Sequence, residues 1–439
     1  MLTGGISLLI LLVLLLAGAP LFVGCAVAVV FMIMAGGYDP QFLLPYSYER
    51  ISSMVLLAFP LFTLAGGIME VSAIGRYLID FGATITSRVK GGMGAVTCIT
   101  NGIFGACSSS ASAAITCLGP ILIPRLKSEG YPGGYAAALV TAASGLAMVI
   151  PPSGHLIIYG WITYTSVPAL FLGGLPSGIL AVFLFMLINR IMVRRFPIKE
   201  PLPLGGIKRM GKDIAKSGWK SLPALMFPAF ILGGIYGGFV TPTQAGALAA
   251  IYATLVGFFI YRVMTLRGFA DAMFDRGALL GVVLILVFCA MMLGRMFTLE
   301  GIPEALTIAF LNLTENKYII LLLLNSIFIL LGMMMDDISA IIIGASLTFT
   351  LATQVLGVHP VQLGAIISIN TAMGTMTPPV AGLLYLGMHV GKVTLPEIIK
   401  PALIFMIFGY MPIILLLTFW PPLSLWLPTA ILGPKIMGF

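Results

Sequence analysis

The chain has 439 residues, of which 59% are hydrophobic and 9% are charged, with a net charge of +8 and a mean hydropathy of +1.10. Soluble domains carry about 25% charged residues, so this composition excludes a water-soluble fold and indicates a protein embedded in lipid. The apolar runs are continuous rather than alternating, which favours membrane-spanning helices over a barrel. The sequence therefore predicts an all-α polytopic membrane protein.

Long apolar segments alternate along the chain with shorter, more amphipathic ones. The long segments cover 3–36, 52–72, 133–160, 168–192, 221–262, 277–297 and 398–426, and the amphipathic ones cover 75–88 and 302–315. Prolines interrupt two of the long segments, at Ala19-Pro20 and at Thr241-Pro242. Each of these two is compatible with one broken crossing or with two short helices.

The segment 90–126 has an apolar arm on each side of a serine-rich centre, "CSSSAS". As one helix it would be about 54 Å long, whereas the apolar core of a bilayer is about 30 Å thick. Basic residues flank it on both sides, Arg88 and Lys90 before it and Arg125 and Lys127 at its end. Both ends are therefore expected on one side of the membrane, which predicts a re-entrant helical hairpin with its tip at the serines.

The segment 318–354 has the same length and layout, with "MMMDDIS" at its centre. It predicts a second re-entrant hairpin, whose tip carries Asp336 and Asp337. Polar backbone at membrane depth is tolerated only where it lines a cavity enclosed by protein. The two tips are therefore expected to face such a cavity.

A broken transmembrane helix follows each hairpin, at 133–160 and at 361–390. Each contains a proline pair, Pro151-Pro152 and Pro378-Pro379, at an offset of 227 residues. Tandem prolines interrupt a helix because they remove backbone donors and clash one turn back. Discontinuous helices at equivalent places in two repeats indicate a transporter's binding site. We infer inverted structural repeats from the hairpin pattern rather than from a count of crossings.

These elements divide the chain into a first repeat (1–192), a basic linker (193–220) and a second repeat (221–439). Nine of the 23 Lys and Arg residues lie between Arg190 and Lys220. This concentration is the positive-inside pattern, so the linker is predicted to be cytoplasmic. The same clustering makes the net positive charge a topology signal rather than a sign of nucleic-acid binding.

Several stretches together resemble the large membrane subunit of tripartite ATP-independent periplasmic (TRAP) transporters. They are "NGIFGACSSSASAA", "GYPGGYAAALVTAASGLAMVIPPS", "GGIYGGFVTPTQAGA", "MMMDDISA" and "NTAMGTMTPPVAG". The resemblance covers essentially the whole chain. It implies an elevator-type fold of the ion-transporter superfamily, in the bacterial inner membrane, coupled to sodium ions and without another cofactor. It also implies three partners: a small four-helix membrane subunit, a periplasmic substrate-binding protein, and a small organic anion such as a carboxylate, a sialic acid or a sulfonate.

The resemblance also assigns two sodium sites, one in each repeat. Hydroxyl and carbonyl oxygens suit a hard cation. The first site is expected to use Gly105, Ser108, Ala147, Ile150 and Pro152. The second is expected to use Gly332, Asp336, Gly374, Thr377 and Pro379. Sodium would offset the cost of an ionised aspartate at membrane depth, about 2.5–3.5 kcal/mol, although both aspartates could instead lie beside a watery loop.

The substrate is expected to contact polar groups at the tips or beside the second break, namely Ser109, Ser110, Ser339 and Asn370. Arg295 and Lys392 are possible partners for a carboxylate or sulfonate. Both could equally be residues at helix ends whose charges extend to the membrane surface.

Two other functions are compatible with parts of the sequence. A stand-alone, ion-coupled anion carrier of the same superfamily would share the hairpins and need no partner subunits. An intramembrane aspartyl protease would use two carboxylates, but it brings them from separate helices, and neither GxGD nor HExxH occurs here. The chain is therefore not expected to be an enzyme.

Overall fold

The computed structural model describes residues 2–86, 90–198 and 207–437, and all regular structure in this part is helical. The α-helices are α1 (Leu2–Leu16), α2 (Leu21–Gly36), α3 (Leu43–Ile51), α4 (Ala58–Val71), α5 (Ile74–Thr86), α6 (Gly92–Ser108), α7 (Ala111–Glu129), α8 (Gly133–Ser144), α9 (Gly154–Thr163), α10 (Val167–Met192), α11 (Ile207–Tyr236), α12 (Pro242–Leu255), α13 (Leu266–Leu299), α14 (Ile302–Leu313), α15 (Lys317–Met334), α16 (Asp337–Thr350), α17 (Pro360–Gly374), α18 (Gly382–Gly391), α19 (Leu395–Phe405), α20 (Met411–Phe419), α21 (Pro422–Leu432) and α22 (Pro434–Met437). Short 3-10 segments cover Pro40–Phe42, Gly145–Met148 and Val193–Arg195, and π-helical turns cover Val256–Ile260, Leu351–Val355 and Met406–Tyr410.

Six helices in the described ranges are long and apolar enough to cross a membrane, and the pair α4–α5, bent by 66°, could form a seventh span. These helices confirm a polytopic, all-helical membrane protein. Large apolar side chains remain exposed on several of them, among them Phe183, Val282 and Phe408. Lipid is the solvent that such surfaces require.

The structure resolves the two interrupted segments into separate helices. Residues 3–36 form α1 and α2, which pack against each other, and residues 221–262 contain the end of α11 and all of α12. Helix α11 begins at Ile207, inside the predicted linker 193–220, and continues to Tyr236 as one helix of 30 residues. Residues 199–206 of that linker and Arg88 before the first hairpin lie outside the described residues.

Helices occupy both arms of each predicted hairpin. In the first, α6 and α7 pack together and are separated only by Ser109 and Ser110. In the second, α15 and α16 pack together and are separated only by Met335 and Asp336. Each turn lies within the polar stretch that interrupts the apolar sequence.

The two broken helices pack side by side and run in opposite directions. The first consists of α8, a break at 149–153 and α9; the second consists of α17, a break at 375–381 and α18. Gly391 of α18 packs against Ala137 near the start of α8, and Gly387 packs against Thr141 one turn further on. At the other end, the Tyr159 hydroxyl of α9 donates a hydrogen bond to the Pro360 carbonyl at the start of α17, 2.9 Å away. This antiparallel packing places the two breaks near each other in the middle of the bundle.

Candidate functional site: a cavity between the hairpin tips

Each hairpin packs against the broken helix that follows it through very small residues. A Cβ atom placed on Gly105 of α6 would lie 2.8 Å from the Cα of Ala147, beside the first break. A Cβ atom on Gly332 of α15 would lie 3.1 Å from the Cα of Gly374, beside the second break. Real Cβ atoms essentially never approach as closely as the first distance, so the sequence must keep these positions small. The result is that each tip is held directly against a helix break.

The first tip is tied to its own repeat by hydrogen bonds. Ser109 has a left-handed backbone with φ 52°, and its hydroxyl donates to the Pro152 carbonyl in the first break, 2.6 Å away. Ser110 has an extended backbone and caps α7 by accepting a hydrogen bond from the Ala113 amide at 3.3 Å. These contacts satisfy polar groups that the turn would otherwise leave unpaired.

The second tip uses one aspartate as a helix cap. The Asp336 carboxylate accepts hydrogen bonds from the Ser339 amide at 3.2 Å and from the Ser339 hydroxyl at 2.5 Å. An aspartate at this position satisfies free amides and interacts favourably with the positive end of the helix dipole. Asp336 is itself exposed to the adjoining space, whereas Ser339 is fully buried behind it.

The other aspartate reaches across to the first repeat. Asp337 Oδ2 lies 3.0 Å from Nε2 of His155, the second residue of α9. The contact has the distance of an ion pair but not the geometry of a hydrogen bond, and the Nδ1 atom of His155 has no partner within the described residues. Only 3% of the His155 side chain is exposed. The pair joins the second hairpin tip to the first broken helix.

A cavity of about 340 Å³ lies where these groups meet. Its polar lining comes from the first tip, the second tip, the start of α9 and one residue of α4: Ser109, Ser110, Ser112, His155, Asp336, Asp337 and Thr63. Its apolar wall comes mainly from α2, α4 and α13, including Phe22, Phe59 and Val283. We refer to it as the tip cavity. Its size and its few converging polar groups are those of a site for a small molecule.

Residues 8–423 match the family described as tripartite ATP-independent periplasmic transporter, DctM component. The chain belongs to this family. It is similar to the C4-dicarboxylate TRAP transporter large permease protein DctM of Pseudomonas aeruginosa, with 31% identity over 87% of this chain and 88% of that protein. It is also similar to the isethionate TRAP transporter permease protein DctMQ of Oleidesulfovibrio alaskensis, with 31% identity over 91% of this chain but only 64% of that protein.

Among solved structures, the fold is similar to a crystal structure of the Alcanivorax borkumensis YdaH transporter. The TM-score is 0.61, with 16% identity over 88% of this chain and 90% of that one. At this identity the likeness concerns the fold alone. Membership of the DctM family makes the chain a transporter subunit rather than an enzyme, as the sequence predicted.

In this DctM-family chain, three of the predicted site residues meet at the tip cavity: Ser109, Ser110 and Asp336. Two predicted substrate contacts do not line it. Ser339 is buried against Asp336, and Asn370 is buried beneath the second hairpin, where its amide donates to Asn325 at 3.0 Å. Arg295 and Lys392 also lie outside its lining.

The hydrogen bond of Asn370 has a counterpart in the first repeat. In the first repeat, the Ser144 hydroxyl donates to Asn101 Oδ1 at 2.8 Å. This pair also joins the first helix of a hairpin, α6, to the first half of a broken helix, α8. Asn101 and Asn325 are both buried. The two polar pairs fasten each hairpin to its broken helix, while the Oδ1 atom of Asn370 is buried without a hydrogen-bond partner in the part of the chain described.

The predicted sodium ligands lie around the two breaks, with some of their oxygens already engaged. The Pro152 carbonyl accepts from Ser109 at 2.6 Å, and the Ser108 hydroxyl donates to the Ser110 carbonyl at 3.3 Å. In the second repeat, the Gly374 carbonyl accepts from the Thr377 amide at 2.8 Å. Within the described ranges, no three His, Cys, Asp or Glu side chains cluster as metal ligands. The predicted sodium ligands at the breaks are carbonyl and hydroxyl oxygens, and Asp336 is the one carboxylate among them.

A larger cavity, of about 840 Å³, lies at the end of α9 and is lined by Arg50, Trp161 and Gln244 among others. Neither hairpin tip contributes to it. We assign the functional site to the smaller tip cavity, because both hairpin tips, both aspartates and the start of α9 line it. His155 is the residue that sequence reasoning missed. Its position three residues after the Pro151-Pro152 pair was the available signal.

Proposed function

We propose that this chain is the membrane subunit that carries out transport in a sodium-coupled importer of a small organic anion. The anion is received from a periplasmic substrate-binding protein, and a small four-helix membrane subunit completes the complex in the bacterial inner membrane. Transport follows an elevator mechanism, in which the two hairpins and the two broken helices move together against the remaining helices. Family membership supports the subunit role, and the named substrates of the two relatives support a carboxylate or sulfonate.

The observation that carries the proposal is the convergence of both hairpin tips on one cavity. Each tip packs through glycine onto a helix break, so a bound ion at a break would order the adjacent tip. The tip cavity is lined by both tips at once, so a substrate there depends on the order of both. Sodium and substrate would thus stabilise the same arrangement, which is the linkage that coupled transport requires.

Charge supports sodium coupling in particular. The tip cavity is lined by two carboxylates and one imidazole, with no Lys or Arg among its lining residues in the part of the chain described. An anion entering such a cavity is repelled unless cations accompany it. Sodium ions at the tips would supply that positive charge.

The test is a sodium titration of thermal stability for the purified chain, with potassium as the control cation. A ligand that binds only the folded state raises its stability by about 2.7 kcal/mol at a concentration of 100 Kd. We expect sodium alone to raise the melting temperature, and we expect Ser108→Ala and Asp336→Ala each to weaken the response. Equal effects of sodium and potassium on all three proteins would reject sodium coupling through the tips.

A second measurement distinguishes a tripartite transporter from a stand-alone carrier. Uptake of labelled isethionate or succinate into proteoliposomes is compared with and without the binding protein and the small subunit. The proposal expects uptake only when all three components and an inward sodium gradient are present. Uptake by this chain alone would establish the stand-alone carrier.

A further inference from the structure

A second polar cavity, of about 250 Å³, lies at the other end of the helices that line the tip cavity. Its lining includes two arginines and several hydroxyl groups: Arg50, Arg295, Tyr164, Thr298, Ser346 and Thr350. We refer to it as the arginine cavity. Two of its lining side chains are cationic, whereas no Lys or Arg is among the lining residues given for the tip cavity in the part of the chain described.

Neither arginine of this cavity pairs with a carboxylate in the described part of the chain. Arg295 has one defined contact, in which its guanidinium lies 5.4 Å from the ring centre of Tyr46. Arg50 binds the Tyr164 hydroxyl, and its guanidinium lies 4.5 Å from the centre of the Tyr164 ring. The Nε atoms of both arginines are buried without a hydrogen-bond partner.

Two permanent positive charges facing one small cavity are unfavourable without an anion. Arginine stays protonated at any physiological pH, so neither charge is relieved by losing a proton. A carboxylate, sulfonate or phosphate bound by the two guanidinium groups would offset both charges. The surrounding hydroxyls can donate to the remaining oxygens of such a group.

The arginine cavity is connected to the tip cavity by shared helices. Helix α9 contributes His155 to the tip cavity and Thr163 to the arginine cavity, and α16 contributes Asp337 and Ser346 in the same way. At 1.5 Å per residue, these pairs are about 12–14 Å apart along the helices. Helix α13 lines both cavities as well.

The cavity also lies far from the basic end of the bundle. Helix α10 begins just after Tyr164 and ends beside Arg190, which donates to the Lys90 carbonyl at 3.1 Å. Its 26 residues span about 39 Å. If the basic end is cytoplasmic, as the proposed function requires, the arginine cavity faces the periplasm.

We propose that the arginine cavity is a second anion-binding site, where the acidic group of the transported anion binds between Arg50 and Arg295 before reaching the tip cavity. This inference rests on the proposed function for the identity of the anion. It assigns the initial attraction of the anion to the arginines, since the tip cavity is itself acidic. Hydroxyls and sodium ions then hold the anion at the tips.

Trp161 provides a local reporter, because the Arg50 guanidinium lies 5.7 Å from the centre of its ring. The experiment uses the full chain in detergent with Trp219, Trp420 and Trp426 changed to Phe. Sodium isethionate and sodium succinate are titrated against sodium chloride at equal sodium concentration. We expect a saturable change in Trp161 fluorescence with at least one of the two organic anions and none with chloride.

The decisive variant is Arg295→Gln, because it removes one of the two charges and leaves the backbone hydrogen bonds of α13 in place. Losing one charged partner should raise the apparent dissociation constant of the anion roughly tenfold or more. Arg267→Gln is the matched control: Arg267 is exposed at the opposite end of the same helix and should leave the titration unchanged. Arg295→Lys keeps the charge but not the planar fork, so it should give an intermediate affinity.

Equal titrations for Arg295→Gln and Arg267→Gln would overturn the proposal, as would the absence of any saturable response. If sodium still raises the melting temperature in that case, the proposed function stands and only the second site is lost. A lipid headgroup is tested with nanodiscs of phosphatidylglycerol or phosphatidylcholine. A Trp161 change caused by phosphatidylglycerol that succinate and isethionate do not reverse would make the cavity a lipid site and overturn the assignment to substrate.

Discussion

The two hairpins pack against their broken helices in the same way but differ in the chemistry of their tips. Gly105 against Ala147 and Gly332 against Gly374 bring each hairpin into close contact with its broken helix. At the first tip, a serine hydroxyl binds a carbonyl of the same repeat. At the second tip, Asp337 crosses to His155 of the other repeat. The first tip is therefore anchored locally, whereas the second also links the two halves of the molecule.

This difference shows that close packing restricts the residue type at some positions of the site and leaves it free to vary at others. Close helix contacts accept only the smallest side chains, so both repeats keep Gly or Ala at those four positions. The tips face a cavity, where polar side chains of different charge can be accommodated. One tip can thus be neutral and the other acidic without any change in the close helix contacts that hold the tips.

The largest expected effect on stability comes from disrupting the close packing of a hairpin against its broken helix. In Gly374→Ala, the new Cβ would lie 2.7 Å from the Ile329 carbonyl oxygen and 2.8 Å from the Gly332 Cα. We expect a loss of about 2 kcal/mol or more, measured as a lower melting temperature in detergent. Gly277→Ala is the control, because a Cβ there meets nothing within 4 Å. If Gly374→Ala is as stable as Gly277→Ala, the second hairpin does not depend on this close packing.

The next effect concerns the link between the repeats. A double-mutant cycle of His155→Ala and Asp337→Ala should give a coupling energy of about 1–2 kcal/mol, because Asp337 Oδ2 lies 3.0 Å from His155 Nε2. The parallel cycle of His155→Ala with Asp336→Ala should give a smaller value, since Asp336 is bonded to Ser339 instead. Both cycles are measured by unfolding at fixed pH and sodium concentration. Equal coupling in the two cycles would contradict the different roles assigned to the aspartates.

At the first tip, Ser109→Ala should cost about 1 kcal/mol, because it removes the buried hydrogen bond to the Pro152 carbonyl. Ser112→Ala is the control at an exposed position of the same tip and should change stability by less than about 0.5 kcal/mol. The comparison uses melting temperatures without sodium. A cost for Ser112→Ala that matches or exceeds that for Ser109→Ala would show that the first tip is not anchored through Ser109.

The smallest stability change is expected for Asp336→Ser, and it separates capping from ion binding. Serine caps a helix about as well as aspartate does, so stability without sodium should change by less than about 0.5 kcal/mol. If the Asp336 charge contributes to a sodium site, the stabilisation by sodium should nevertheless fall. Parallel melting curves with sodium and with potassium measure both quantities. An unchanged sodium response would leave Asp336 as a cap only.

Much of the helical layout could be predicted from the sequence. The serine and aspartate stretches mark the two turns, and the proline pairs mark the two breaks, because neither feature can continue a helix that faces lipid. Helix α11 begins at Ile207, inside the basic linker. Lys and Arg are good helix formers, so a basic segment can be helical as well as solvated.

The sequence by itself determined that this is a helical membrane protein with two polar-tipped hairpins and two interrupted helices, since composition and helix-breaking residues act locally. Only the tertiary structure decided which polar residues face the tip cavity. Ser339 and Asn370 turn into the packed bundle, while His155 and Asp337 meet across it. The direction of a side chain depends on helices that are distant in sequence, and no local pattern specifies how those helices pack.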